Sequence, residues 1–83
     1  MAHKYITASE QSFSGHVNIR SFLLTAGNDN ATATIKTAVG GDTIHIIKAL
    51  ASSSFQYVTD NEAYEDGVYV LLAGTSPTVD ILY

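Results

Sequence analysis

Three histidines have the widest chemical range of any side chains in this sequence, and their spacing matches no catalytic or metal-binding pattern. His3 lies near the N-terminus, His16 opens a predicted strand, and His45 stands between two isoleucines within another. A hydrolase needs a base beside its nucleophile, and a metal site needs ligands that converge from suitable spacings. No HxH or HExxH motif connects these residues. We therefore predict structural roles for all three, with no catalytic residue and no metal site.

The acidic residues and the paired glycines are the next candidates for a ligand site. Glu62, Glu65 and Asp66 resemble a Ca²⁺ loop only loosely, because the alternating ligand spacing and the central glycine of an EF-hand are missing. Gly40 and Gly41 are not followed by the Lys and Ser/Thr of a phosphate-binding loop. The sequence therefore predicts solvated loop acids, hairpin glycines and no cofactor.

Five tyrosines offer a different kind of chemistry, since each combines a large apolar ring with a polar hydroxyl. They suit anchors in a protein interface or, with the Asn28–Asn30 turn, a platform on which sugars stack. A place in the core or at its edge is the alternative for any strand tyrosine. The predicted interface residues are Tyr57, Tyr64, Tyr69, Tyr83, Glu62, Glu65 and Asp66.

Composition favours a small domain that packs against other proteins. The 83 residues include no Cys, so neither a disulfide nor a thiolate metal site can reinforce the small core. Charged residues make up 14%, against roughly 25% in an average soluble protein, and an uncharged surface costs little to desolvate. The net charge of -4 opposes nucleic-acid binding. No apolar run is long enough for a signal peptide or a membrane span, so we expect synthesis in the cytoplasm, with residence or assembly into something larger there.

Apolar residues recur with a period near two, between turn residues at regular intervals, which is typical of β-sandwiches and barrels. In GVYVLLAG the pattern places Val68, Val70 and Leu72 on one face. In HVNIRSFLLTA it places Val17, Ile19 and Leu23 together. TDNEAYEDG, residues 59–67, is interpreted as a solvated connection.

The whole pattern predicts an all-β fold, a single small antiparallel β-sandwich of about seven strands joined by hairpin-length connections. Its topology would be jelly-roll-like or Greek-key, with a barrel as the alternative. Residues 1–16 are predicted to form a partly extended N-terminal arm, and residues 17–83 the sandwich.

The order of segments across residues 17–83 also resembles a known group of proteins. A strand ending in TAG precedes the Asn/Asp-rich turn, KALASS carries a K-A-x-A-x-S pattern, and GVYVLLAGTSPTVDILY closes the chain as G-V-Y-V-x-L-x-G-T-x-P-x-V-x-I. The pattern is similar to that of short β-sandwich proteins encoded among the virion genes of tailed bacteriophages. The final segment is the most specific part of the resemblance, and the first sixteen residues lie outside it.

The resemblance implies an accessory structural protein that decorates or cements a capsid, without cofactor or active site. We expect a non-enzymatic protein on the capsid surface that forms a dimer or trimer and binds the major capsid protein or another virion protein. No nucleic acid or membrane is expected as a partner. A carbohydrate-binding or host-adhesion module and a component of the tail or head-tail junction are the alternatives, and an enzyme ranks last.

Overall fold

A computed structural model describes residues 2–83 and shows eight β-strands in two four-stranded antiparallel sheets. The predicted all-β sandwich is thereby confirmed, with one strand more than expected. The strands are β1 (His3–Ile6), β2 (Glu10–Phe13), β3 (Val17–Thr25), β4 (Ala31–Lys36), β5 (Thr43–Ala49), β6 (Ser54–Tyr64), β7 (Val68–Ala73) and β8 (Thr78–Leu82). Residues 2–83 contain no helix of the length and apolarity needed to cross a membrane.

The strands alternate between the sheets along the chain. Sheet A has the order β1-β8-β3-β6 and sheet B the order β2-β7-β4-β5. Among the described strands, only β4 and β5 are consecutive in sequence and paired in one sheet, with Gly40 at a left-handed φ of 74° in the turn between them. The other six connections cross from one sheet to the other. They are short, as predicted, but they are not hairpins. This interleaving of two four-stranded sheets is jelly-roll topology.

The core lies between the sheets and is built from the inward side of each alternating strand. Val68 and Val70 of β7 are fully buried, and Leu72 packs against the core from the same side, as the sequence pattern predicts. Val79 and Ile81 of β8 are fully buried in the facing sheet. The period of two thus identifies the inner face correctly in strands that pair without interruption.

Strand β3 departs from the predicted face because its register shifts between Ile19 and Ser21. Between these two pairs Arg20 of β3 stands opposite residues 59–61 of β6, and this irregularity turns the following side chains of β3 to the opposite face. Phe22 and Leu24 are therefore fully buried, while Leu23 lies half-buried on the outer face of sheet A. The prediction that Leu23 shares a face with Val17 and Ile19 is wrong for this reason.

The predicted acidic connection is mostly a strand. β6 continues through Tyr64, and only residues 65–67 form the turn to β7. Asp60 and Asn61 adopt left-handed φ values of 54° and 64° within the irregular part of the pairing with β3, so the strand bends there without ending. Asp and Asn tolerate this conformation better than most residues, which is why an acidic, turn-like sequence is found within a strand.

Residues 2–16 contribute one strand to each sheet. β1 pairs antiparallel with β8, and β2 pairs with β7 next to a register shift between Gln11 and Phe13. Both strands are only four residues long and both lie at sheet edges. The segment named the N-terminal arm therefore supplies one edge of each sheet.

Candidate functional site

The sandwich has two open sides, where an edge strand of sheet A lies beside an edge strand of sheet B without pairing. β1 and β2 form one side, and β5 and β6 form the other. The first is covered by side chains, with the Lys4 ammonium 5.7 Å from the centre of the Phe13 ring and Tyr83 packed edge-on against the same ring at 4.8 Å. The second, the β5/β6 side, combines a polar network with exposed apolar residues and is the candidate site.

Four side chains form a hydrogen-bonded chain across the β5/β6 side, here called the His45 network. Tyr64 donates from its hydroxyl to Oε1 of Glu62 at 2.6 Å, and the same oxygen lies 2.8 Å from Nε2 of His45. The Tyr57 hydroxyl lies 3.2 Å from Nδ1 of His45. His45 comes from sheet B and the other three from sheet A, so the network joins the sheets where their backbones do not pair.

The hydrogen bonds assign the proton positions in this network. The hydrogen bonds from Tyr64 and His45 hold the pKa of the Glu62 carboxyl below its ordinary value, with the positive field of His45 as a further cause. Burial, followed by the bond to Glu62, raises the pKa of the Tyr64 hydroxyl far above its usual range. Because ionised Glu62 only accepts, Nε2 of His45 carries a hydrogen. In the neutral imidazole of His45, Nδ1 therefore carries no hydrogen and accepts a hydrogen bond from the Tyr57 hydroxyl.

This arrangement suits a structural role better than proton transfer to a substrate. Tyr64 is only 3% exposed, and its ring also packs edge-on against Phe22 in the core at 6.2 Å. His45 and Tyr57 pack against each other with ring centres 4.8 Å apart. Within residues 2–83, no three His, Cys, Asp or Glu side chains gather as a metal site. The His45 network can fasten the two sheets together, and it presents one carboxylate edge to solvent.

The pH dependence of folding tests this fastening role. Since the pKa of Glu62 is lowered in the folded state, its stabilising effect is present above the unfolded value of about 4.5 and is lost as pH falls through the folded value. We expect Glu62→Gln to destabilise the protein at neutral pH and to approach wild-type stability in acid. Urea unfolding from neutral pH to below 4.5 measures the difference.

The matched control is Glu65→Gln, because Glu65 carries the same carboxylate in the exposed β6–β7 turn and lies outside the network. It should unfold in parallel with the wild type at every pH. A constant gap between Glu62→Gln and the wild type down to the lowest pH would show that the Glu62 carboxylate is not held by this network.

Beside the network, the first half of β6 forms an apolar edge. Residues 54–59, SFQYVT, contain no charge, and Phe55 and Val58 are 47% and 66% exposed. Ile46 of β5 and Leu50 of the following turn are also exposed. Val58 lies on the outer face of sheet A and Ile46 on the outer face of sheet B, so these exposed side chains border the β5/β6 side without forming one continuous face.

The predicted interface residues occupy four separate places. Tyr57, Tyr64 and Glu62 meet in the His45 network, where Tyr64 is a core residue and not a contact surface. Tyr69 lies half-buried on the outer face of sheet B, and Tyr83 lies beside the β1/β2 side. Glu65 and Asp66 are exposed in the β6–β7 turn, where Glu65 lies 3.8 Å from His16.

Sequence reasoning missed the partnership of His45 with Glu62, which are 17 positions apart on strands of different sheets. No local pattern indicates this pairing. It also missed Phe55 and Val58, although the absence of charge over residues 54–59 is a readable signal in an edge strand. Of the five tyrosines considered for sugar stacking, Tyr64 is buried and Tyr57 is packed against His45.

Comparisons of the chain with protein-family models, with curated proteins and with solved structures gave no match. A jelly roll serves viral capsids, lectins and enzymes alike, so the fold class alone does not select a function.

Proposed function

We propose that this chain is a non-enzymatic structural protein of a tailed-phage virion, which decorates the capsid and stabilises the shell through protein contacts. The sequence resemblance over residues 17–83 supports this role. The jelly-roll topology, the low charge and the small core agree with it, since a domain of this kind gains stability from its neighbours.

The outer face of sheet B is the observation that carries the proposal. The register places Leu71, Thr34 and Ile46 in one row across β7, β4 and β5, with Leu71 and Ile46 both exposed. The adjacent rows contribute Tyr69 and Lys36 on one side, and Ala73, Thr32 and Lys48 on the other. The three strands present no carboxylate on this face, although the chain has a net charge of -4.

Such a face has the properties of a docking surface. Its apolar and Thr side chains are inexpensive to desolvate, and its two lysines attract an acidic surface. The strands hold the side chains in fixed positions, so little conformational entropy is lost when a partner binds. A capsid shell offers many identical copies of its subunit, and a small domain with one such face can bind each copy in the same way.

Binding to shells tests the proposal. Purified chain should co-sediment with capsid shells of the encoding phage that were assembled without it, and should raise the temperature at which they disrupt. Leu71→Asp, on the sheet B face, should weaken binding by about tenfold or more, because it places a charge in the contact.

Tyr5→Asp is the matched control, since Tyr5 is similarly exposed on the outer face of sheet A, opposite Asp80. It should leave shell binding unchanged. The proposal fails if the wild-type chain neither binds these shells nor stabilises them.

A further inference from the structure

The four edge strands of the sandwich differ in how well they are protected against pairing with another strand. An edge strand presents unpaired backbone N–H and C=O groups, and proteins protect such edges by shortness, bulges, lysines or covering loops. β1 and β2 are four residues long, and β2 lies next to a register shift. β5 carries Lys48 and pairs irregularly at its start. β6 is the longest strand, with eleven residues, and pairs on one edge only.

Only part of β6 is protected. From Ser54 to Val58 the pairing with β3 is regular, running from Ser54 opposite Thr25 to Val58 opposite Ser21. The bend at Asp60 and Asn61 then interrupts the strand and introduces charge. The segment Ser54–Thr59, here called the β6 edge, is uncharged and rich in β-forming residues, pairs regularly with β3 through Val58, and exposes Phe55 and Val58 on its two faces.

We infer that the β6 edge binds a second copy of this chain, as an antiparallel pair of β6 strands related by a two-fold axis. Antiparallel pairing of a strand with the identical strand of a second copy is isologous. The outward backbone N–H and C=O groups of each copy then form hydrogen bonds with the same groups of the other copy. Sheet A then continues through the interface as one eight-stranded sheet, and the edge no longer exposes unpaired backbone groups.

The charge distribution favours a second copy in this orientation. Two copies with a charge of -4 each repel, but the β6 edge contributes no charge to the contact. The acids of β6, Asp60 and Glu62, all lie toward its C-terminal end. Antiparallel pairing places the acidic end of one strand beside Ser54 of the other, whereas parallel pairing would place like charges side by side.

The length of the contact sets its strength. A six-residue edge extends about 20 Å, and the surface it covers is smaller than that of a standard stable interface. The dimer should therefore form reversibly as concentration rises, and be favoured where many copies are held close together. The inference specifies a surface for the dimer or trimer expected from the sequence resemblance, and in this respect it rests on the proposed function. It is tested on purified protein alone, so its outcome is separate from that of shell binding.

Analytical ultracentrifugation over a wide concentration range tests the pairing, with Val58→Lys as the disrupting variant. Val58 is 66% exposed on the outer face of sheet A, so the lysine should be tolerated in the monomer. It places a charge on the edge in both copies and should raise the dissociation constant about tenfold or more. Val39→Lys makes the same change at a 74% exposed position in the β4–β5 turn and should dimerise like the wild type.

Hydrogen exchange provides a second readout that does not depend on the variants. In the wild type, amides of residues 54–59 should gain protection as concentration rises, and those of the opposite edge strand β1 should not. The inference is overturned if the wild type stays monomeric at every concentration. That result is the one expected if the β6 edge binds a strand of a different protein. It is equally overturned if Val58→Lys dimerises like Val39→Lys, or if protection rises at a different edge.

Discussion

Val70→Asp should strongly destabilise the protein, with a loss of at least about 3 kcal/mol in the free energy of unfolding. Val70 is fully buried in the inner face of sheet B, beside β4 and opposite the residues of sheet A. An ionised carboxylate at this position has no partner. Binding a proton would remove the charge, but keeping the carboxyl protonated at neutral pH also costs free energy. A domain of this size has about 4 to 12 kcal/mol of total stability, so the loss is a large fraction of it.

Thermal unfolding followed by circular dichroism measures the effect, which corresponds to a fall of about 12 °C or more in Tm. Leu71→Asp is the control, because it introduces the same side chain one position later on the exposed outer face. It should cost about 1 kcal/mol or less, mainly through β-propensity. Equal losses for the two variants would contradict the assignment of the inner face of β7.

Phe22→Ala should be the second large effect, with a cost of about 3 to 5 kcal/mol. Phe22 is fully buried and packs edge-on against Tyr64, so its removal leaves a cavity between the sheets at the base of the His45 network. The surrounding β-branched side chains are fixed by their strands and can collapse into the cavity only in part. Urea unfolding gives the change in stability.

The neighbouring substitution Leu23→Ala tests the register shift in β3. Leu23 is half-buried on the outer face of sheet A, so its truncation should cost about 1 kcal/mol. If Leu23→Ala were the more damaging of the two, the uninterrupted alternation read from the sequence would be correct and the shift between Ile19 and Ser21 would not exist.

The strands themselves could be predicted from sequence because one face of each is buried. The regular alternation around Val68 and Val70 is enough to identify both the strand and its inner face. The same logic failed in β3, because the face of its side chains changes where Arg20 stands opposite residues 59–61 of the partner strand β6, and the hydrophobic pattern of β3 alone does not reveal this. It failed in β6 because Asp60 and Asn61 have turn-forming preferences and yet bend the strand without ending it.

The arrangement of the strands could be predicted only in outline. A short connection between two strands allows either a hairpin in one sheet or a crossing to the other, and six of the seven connections cross. The side-chain partners of the site depend on that choice. His45 and Glu62 meet only because β5 and β6 end up as facing edges of different sheets, a long-range result that no local spacing encodes.

The placement of the chain on the virion is the most direct test of the central claim. Cryo-electron microscopy of particles with and without its gene should show additional density on the outside of the capsid shell. An eight-stranded jelly roll should fit that density, with the outer face of sheet B turned toward the shell. Density confined to the tail or to the head-tail junction, or identical maps from the two kinds of particle, would contradict the capsid role.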